Sequence, residues 1–149
     1  MKNIKQGLVS LLKEGYCAPR IVSIAKKLKE PSPTIHYNLK QLEKDKVIRS
    51  YKAVFDYNLI DEGFCNYVLI NLAHNEYGNP ERVGSELLNF PQIESIDIVS
   101  GEWEMLIKVR TKNVEEFYQF IKNVLSKNGI IKTNSLASLK QLKTEFITL

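Results

Sequence analysis

Apolar positions in the first 50 residues recur with the spacing of short amphipathic helices, three or four residues apart. The three stripes are Ile4, Leu8, Leu11 and Leu12; then Ile21, Ile24, Ala25 and Leu28; then Ile35, Leu39 and Leu42. Gly15 is a natural end for the first helix because glycine tolerates positive φ. We expect the second helix to end before Pro31. The pattern therefore predicts three short helices in this region.

The second and third helices are separated by a tight turn, Pro31, Ser32 and Pro33. Ser32 is suited to cap the third helix, and Pro33 to occupy its first position, where a missing N–H costs nothing. Two short helices joined by such a turn, with a supporting helix before them, form a helix-turn-helix unit of winged-helix-like type. The last helix of such a unit lies in the major groove of DNA.

Polar, basic and aromatic side chains occupy the face of the third helix opposite its apolar stripe. Amide side chains suit adenine edges, hydroxyl and aromatic groups suit thymine methyl groups or phosphate, and lysines release counterions from phosphates. The candidates for the groove are Ser32, Thr34, His36, Tyr37, Asn38 and Gln41, and those nearer phosphate are Lys40, Lys44 and Arg49. These residues would also suit the solvated surface of any three-helix domain.

From Val47 onward the hydrophobic period changes, and strands alternate with helices. The predicted strands are 47–55, 66–73, 93–99, 104–110 and 130–139, and the predicted helices are 80–90 and one that begins after the cap Asn113 and ends by Gly129. After the first, connecting strand the order is βαββαβ. The chain is therefore predicted to be α+β, with a helix-turn-helix domain over 1–50, a connecting strand or hinge over 51–62, and a ferredoxin-like domain over 63–149.

Both faces of the predicted strand 66–73 are apolar, since Val68, Ile70 and Leu72 alternate with Tyr67 and Leu69. The helices of a ferredoxin-like domain cover one face of its sheet only. A second copy of the chain is the expected cover for the other face, which gives a homodimer. A dimer also places two reading helices on one roughly palindromic DNA site.

The charge is divided between the two regions. The first 52 residues hold 12 basic and four acidic residues, a net charge of +8, and the other 97 hold nine basic and 13 acidic residues, a net charge of −4. The basic region fits a nucleic-acid partner.

No apolar run approaches the roughly 18 residues of a membrane span, so we expect a cytoplasmic protein without a membrane partner. Cys17 and Cys65 lack metal-ligand spacing, and we expect neither metal nor cofactor.

Two stretches of the chain follow a known family pattern. The first comprises Ile24, Ala25, Leu28, Ser32, Pro33, Thr34, Ile35, His36, Leu39, Leu42, Glu43, Val47, Ile48, Ser50 and Tyr51, and the second comprises Gly101, Glu102, Trp103 and Glu104, followed by Thr133 and Ser135. The order and spacing of these residues resemble the Lrp/AsnC family of feast/famine transcriptional regulators along nearly the whole chain. Residues 101–104 resemble the family's Gly-Asp-Tyr-Asp loop, and Thr133 and Ser135 stand where its last strand carries hydroxyl groups.

The resemblance implies a dimeric regulator, which in this family often assembles into octamers of four dimers and holds an amino acid or related metabolite between dimers. It places the effector carboxylate at Gly101, its amino group at Glu102 or Glu104, and Thr133 and Ser135 nearby, with Trp103 in the same loop. The chain departs from the family at three points: glutamates replace both loop aspartates, Asn38 replaces the recognition-helix arginine, and Lys46 replaces the glycine after that helix.

Three alternatives remain open from the sequence. The loop 101–104 could be an ordinary hairpin with solvated acids and Trp103 in an interface, and the protein a ligand-independent, architectural regulator. An enzyme resembling the sirohaem decarboxylases would need histidine and arginine for propionate groups and proton transfer. For that role the C-terminal domain offers only His74, Arg82 and Arg110, and His36 and His74 are better explained as helix-surface and loop residues.

Overall fold

The computed structural model describes residues 4–126, 129–144 and 147–148. Its backbone divides into two compact units, 1–54 and 55–149. The boundary lies inside the predicted connecting segment 51–62. None of the helices in the described residues is long and apolar enough to cross a membrane.

The first unit consists of α1 (Ile4–Lys13), α2 (Ile21–Leu28) and α3 (Ser32–Lys44). Ala25 and Ile35 are its buried side chains, at 7% and 6% exposure, and each belongs to the apolar stripe of its helix. Three helices are found where the hydrophobic spacing predicts them. The boundaries of α2 coincide with the first and last residues of its stripe.

The predicted cap of α3 is wrong by one residue. The helix begins at Ser32, so the N-cap is Pro31, whose backbone is extended (φ −62°, ψ 142°), and no side chain caps the helix. The ring of Pro31 restricts φ to about the angle observed at this N-cap position. Pro33 still lies in the first turn of α3, where no backbone N–H is needed.

The connecting strand predicted over 47–55 is not present in the structure, which has no strand between α3 and Phe64. The residue just before this stretch, Lys46, lies in the left-handed region (φ 57°), and Ile48 donates its backbone N–H to the Leu42 carbonyl at 3.1 Å. A 3-10 helix, Tyr57–Ile60, follows. High β-propensity does not make a strand without a neighbouring backbone to pair with.

The second unit alternates strands and helices. Its elements are β1 (Phe64–Leu72), α4 (Pro80–Leu87), β2 (Ile93–Ile98), β3 (Met105–Thr111), α5 (Val114–Phe120) with a π-helical continuation (Ile121–Leu125), β4 (Ile130–Ala137), and the short strands β5 (Lys143–Thr144) and β6 (Ile147–Thr148). The β5–β6 pair is an antiparallel addition that the sequence pattern does not predict.

β1 to β4 form one antiparallel sheet in the order β2-β3-β1-β4. Together with the βαββαβ order this is the ferredoxin-like arrangement, so the predicted α+β fold is confirmed. Asn79 and Asn113 cap α4 and α5, where their side-chain oxygens accept hydrogen bonds from Arg82 and Glu116 backbone N–H groups at 3.3 and 2.9 Å. The predicted cap at Asn113 is therefore correct.

One face of this sheet packs against α4 and α5. Val68 and Ile70 of β1, with Ile107 and Val109 of β3, are fully buried there. The alternate residues of β1 and β3 lie on the opposite face, which we call the open face. Cross-strand pairing assigns side chains to these faces, because residues directly opposite each other in an antiparallel pair point to the same side.

A charged cluster occupies one end of the open face. The Glu94 carboxylate accepts a hydrogen bond from Lys108 Nζ at 2.9 Å and another from Arg110 Nε. The Lys108 and Arg110 side chains are only 10% and 8% exposed. Burial disfavours the charged form of Glu94, but the hydrogen bonds and charges of Lys108 and Arg110 outweigh it and hold the pKa below its ordinary value. Gln141 accepts a further bond from Arg110 at 3.0 Å.

Candidate DNA-binding helix and effector loop

Helix α3 presents two differently used sides. Thr34, Tyr37, Gln41 and Lys44 lie on the side directed away from the buried Ile35, at about 100° per residue. Tyr37 is 64% exposed, and Thr34 and Lys44 are also exposed. This side offers a hydroxyl group, a phenol, an amide and an ammonium group to an incoming surface, with no residue of negative charge among them.

The adjoining side of α3 borders a groove within the first unit. His36, Lys40 and Glu43 line the groove from the helix, and Arg49 and Tyr51 line it from the segment after the helix. The nine predicted DNA-binding residues are therefore not on one surface. His36, Lys40 and Arg49 belong to the groove, whereas Thr34, Tyr37, Gln41 and Lys44 belong to the outward side.

Lys40 is engaged in a small network at this groove. Its Nζ lies 2.9 Å from Glu43 Oε2, and the other carboxylate oxygen accepts a hydrogen bond from the Tyr51 hydroxyl at 3.1 Å. These two bonds lower the pKa of Glu43, and the Glu43 carboxylate raises the pKa of Lys40. The ion pair therefore reduces the net positive charge presented by this side of α3.

Two further predicted contacts have local roles. Asn38 donates its side-chain N–H to the Thr34 carbonyl at 2.8 Å, so its amide is used within the helix. Ser32 is half-buried at the first position of α3. Asn38 is nevertheless exposed, so its side chain stays accessible on the helix surface.

The loop 101–104 joins β2 to β3 as predicted. Gly101 has φ +124°, a backbone conformation that side chains rarely adopt, so glycine is required there. Glu104 is half-buried, and its Oε2 accepts bonds from the Leu72 N–H at 2.9 Å and from Asn71 Nδ2 at 3.2 Å. Glu102 is exposed, and its carbonyl accepts from Asn71 Nδ2 at 2.6 Å. The loop is thus fastened to the end of β1.

Trp103 and Lys132 complete this cluster on the open face. The Lys132 Nζ lies 5.0 Å from the centre of the Trp103 ring, within the range of a cation–π contact. Lys132 pairs with Asn71 across β4 and β1, so both side chains point to the same face as Glu104.

Thr133 and Ser135 lie on the other face of the sheet. They pair with Ile70 and Val68, which are fully buried on the helix side. Within one chain, the sheet therefore separates these hydroxyl groups from Glu104 and Trp103. Their expected place near the loop came from the resemblance to the Lrp/AsnC family, whereas the strand register determines the face on which they lie.

Sequence reasoning missed Asn71 and Lys132, which the structure places beside Trp103 and Glu104. One signal was available: Asn71 and Asn66 are the two amides on the largely apolar strand Phe64–Leu72, and Asn71 is next to its last residue. A polar side chain near the end of an apolar strand generally has a bonding partner. The partner could not be identified from the sequence because it is more than 30 residues away.

The side chains that a decarboxylase-like site would need, Arg82, Arg110 and His74, do not form one cluster. Arg82, on α4, bonds Glu76 and Glu86, whereas Arg110 bonds Glu94 on the open face of the sheet. His74 is exposed in the turn after β1. Across the described ranges, no group of three or more histidine, cysteine or carboxylate side chains is arranged to hold a metal ion.

Comparison with known proteins agrees with this architecture. The Lrp/AsnC ligand binding domain model matches residues 65–147, more than half of the chain. The HTH-type transcriptional regulator FL11 of Pyrococcus furiosus is 29% identical over 141 residues, which cover 94% of this chain and 90% of that protein.

Two solved structures share the fold over nearly the whole chain. AsnC of E. coli has a TM-score of 0.72 at 16% identity, covering 99% of this chain and 97% of its own. A transcriptional regulator from Neisseria meningitidis, solved as an L-Met complex, has a TM-score of 0.75 at 19% identity, with 97% and 92% coverage. The match of the family model, supported by the helix-turn-helix unit and the ferredoxin-like sheet, shows that this chain belongs to the Lrp/AsnC family of transcriptional regulators.

Proposed function

We propose that this regulator binds a specific double-stranded DNA site through the outward side of α3, as a homodimer whose affinity for DNA responds to an amino acid or a related metabolite. The observation that carries the DNA-binding part is the side of α3 with the exposed Thr34, Tyr37 and Lys44 and the half-buried Gln41, which is polar and free of acidic residues. It belongs to a region with a net charge of +8.

Each group on that side has a physical role in DNA recognition. Gln41 can donate and accept at once on an adenine edge, and Tyr37 can contact a thymine methyl group or a phosphate. Lys44 supplies a cation for a phosphate without reading sequence. Amide and aromatic groups therefore provide specificity, and the basic residues of the unit provide affinity.

The open face of the sheet supports the homodimer. Tyr67, Leu69 and Leu106 lie there half-buried, and Leu136 is 51% exposed. A second copy would cover these side chains and place two α3 helices on a two-fold symmetric site. Four such dimers could associate further into an octamer.

The loop 101–104 supports an amine-bearing effector. Glu102 is an exposed carboxylate beside Gly101, whose backbone N–H suits a carboxylate, so the two ends of an amino acid have complementary partners. The Neisseria meningitidis relative was solved with L-Met. An effector bound here would act on assembly and through it on DNA affinity.

A ligand-independent regulator is the second candidate, and Glu104 favours it. Its carboxylate already accepts bonds from Leu72 and Asn71, so it stabilises the end of β1 and is not available to an ammonium group without breaking them. Calorimetric titration of the purified protein with the twenty amino acids separates the two candidates. A binding heat for one amino acid that is lost in the Glu102→Ala variant supports an effector-tuned regulator. The absence of a binding heat for all twenty amino acids supports the ligand-independent regulator.

The DNA-binding proposal is tested by fluorescence anisotropy with genomic fragments selected by the protein itself. Tight binding that weakens steeply with salt is expected, with a loss of roughly 1–3 kcal/mol and relaxed sequence preference in Gln41→Ala. Lys44→Ala should weaken binding to all DNA sequences equally, and it should reduce the slope of log K against log salt concentration by about 1. Failure of the wild-type protein to retain any fragment at low salt would overturn the proposal. Light scattering of the same samples reports whether the bound species is a dimer or an octamer.

A further inference from the structure

Lys40 differs from Lys44, the other lysine of α3, in having a fixed acidic partner. Its ammonium group is bonded to Glu43 at 2.9 Å, one helical turn along, although its side chain is 61% exposed and could extend into solvent. Lys44, one position after Glu43, is exposed. The side of α3 next to the DNA-reading residues therefore has a cation whose charge is largely compensated.

The Tyr51 hydroxyl holds Glu43 in place. It donates to Oε1 at 3.1 Å while Lys40 occupies Oε2, so both carboxylate oxygens have partners. Tyr51 lies seven residues beyond the end of α3, in the segment that leads out of the first unit. The Glu43 side chain is 32% exposed, less than that of the lysine that it binds. The anion is therefore the more restricted member of the pair, and the lysine is the one that can move.

We infer that Glu43 and Tyr51 are positioning residues that hold Lys40 away from the phosphate backbone and so limit the sequence-independent part of DNA affinity. This inference rests on the proposed function of α3. Lys40 lies about 100° around the helix from Gln41 and about 60° from Tyr37, close enough to the reading side for a released ammonium group to reach a phosphate next to it. The pair lowers the affinity for every DNA sequence by the same phosphate contact and leaves base contacts unchanged, so it reduces the salt dependence of binding without altering the preference between sequences.

The expected effect is modest and has a defined signature. An exposed ion pair contributes little energy, so the release of Lys40 should tighten binding to random-sequence DNA by roughly two- to five-fold per reading helix. The dependence of log K on log salt should steepen by about 0.9 per reading helix, as expected for one additional phosphate contact. A change in protein stability alone would not alter this slope.

The experiment measures binding of the full chain to random-sequence duplex DNA from low to moderate salt. Glu43→Gln should show the tighter binding and the steeper slope. Asp45→Asn is the matched control, because it removes the same charge two residues away without touching Lys40. Tyr51→Phe keeps the net charge and removes the hydroxyl group, so it should steepen the slope by a smaller amount than Glu43→Gln.

A double-mutant cycle completes the test. Lys40→Gln should reduce the salt slope more in the Glu43→Gln background than in the wild type. Equal slopes for Glu43→Gln and Asp45→Asn, or equal effects of Lys40→Gln in both backgrounds, would overturn the inference. If the wild-type protein binds no DNA at low salt, the proposed DNA-binding function itself is wrong. That result differs from the two outcomes that overturn the inference about Lys40.

Discussion

The guanidinium carbon of Arg110 lies 3.6 Å from the centre of the Tyr57 ring. Tyr57 belongs to the 3-10 helix Tyr57–Ile60, and Arg110 to β3, so the contact fastens the segment before the sheet to the open face. The guanidinium is also bonded to Glu94, which leaves its flat face free for the ring. The charged cluster is therefore partly shielded from water within a single chain.

Tyr57→Ala should lower the free energy of unfolding by about 1–2 kcal/mol, because it removes the stacked ring and exposes the Arg110–Glu94 pair to water. Chemical denaturation followed by circular dichroism measures the change. Tyr57→Phe retains the ring and should stay within about 0.5 kcal/mol of the wild type. A full loss in the phenylalanine variant would show that the hydroxyl group, not the stacking, is responsible.

Glu94→Gln should lower stability at neutral pH by about 2 kcal/mol, because Lys108 and Arg110 lose their counter-charge in a half-buried site. The pKa of Glu94 is held below 4.5 in the folded state, so its contribution is complete above that pH and is lost as the pH falls through the folded-state pKa. The difference between wild type and Glu94→Gln should thus narrow on acidification.

Measuring the free energy of unfolding of both proteins from pH 7 down to pH 3 shows whether the difference narrows as expected. Glu81→Gln, an exposed glutamate on α4, is the comparison variant. A gap between wild type and Glu94→Gln that stays constant over the whole range would contradict the proposed origin of the effect.

Lys46→Gly should stabilise the protein by roughly 0.5–1 kcal/mol. Lys46 has φ 57°, where a side chain is strained and glycine is not, and the gain is reduced by the larger conformational freedom of glycine in the unfolded chain. Comparing the thermal unfolding midpoints of Lys46→Gly and Lys46→Ala tests this explanation, because alanine retains the backbone strain and glycine relieves it. Equal midpoints for the glycine and alanine variants would exclude strain as the cause.

Glu104→Ala should cost about 1–3 kcal/mol of stability, because the Leu72 N–H and the Asn71 amide both lose their acceptor. Glu102→Ala removes a carboxylate from the same loop at an exposed position, so it should change stability by less than about 0.5 kcal/mol. Differential scanning calorimetry of the two variants compares them directly. Similar losses for both would mean that the loop is fastened by something other than Glu104.

The elements that depend on local spacing could be predicted from the sequence. α2 begins and ends at the first and last residues of its apolar stripe, and Asn113 caps α5 through its own side chain three residues along the helix. Such features need only neighbours within one or two turns, and those are visible in the sequence.

The features that depend on pairing between distant strands could not be predicted. Glu94 bonds Lys108 and Arg110, which are 14 and 16 residues away, and it lies where the register of β2 against β3 shifts, between Ile93 and Ser95. The family resemblance grouped Thr133 with the loop, but its cross-strand partner Ile70 directs it to the other face, which only the register reveals. The segment 47–55 has the composition of a strand, but composition does not specify a partner.

The division of α3 into two sides has an evolutionary consequence. Ile35 and Leu39 anchor the helix, and the Lys40–Glu43–Tyr51 network stiffens its flank, whereas Thr34 and Tyr37 are exposed. Substitutions at those outward positions change the chemistry offered to DNA without disturbing the packing beneath. Duplicated copies of such a gene can therefore acquire new promoter preferences by one or two point mutations while keeping the same folded scaffold.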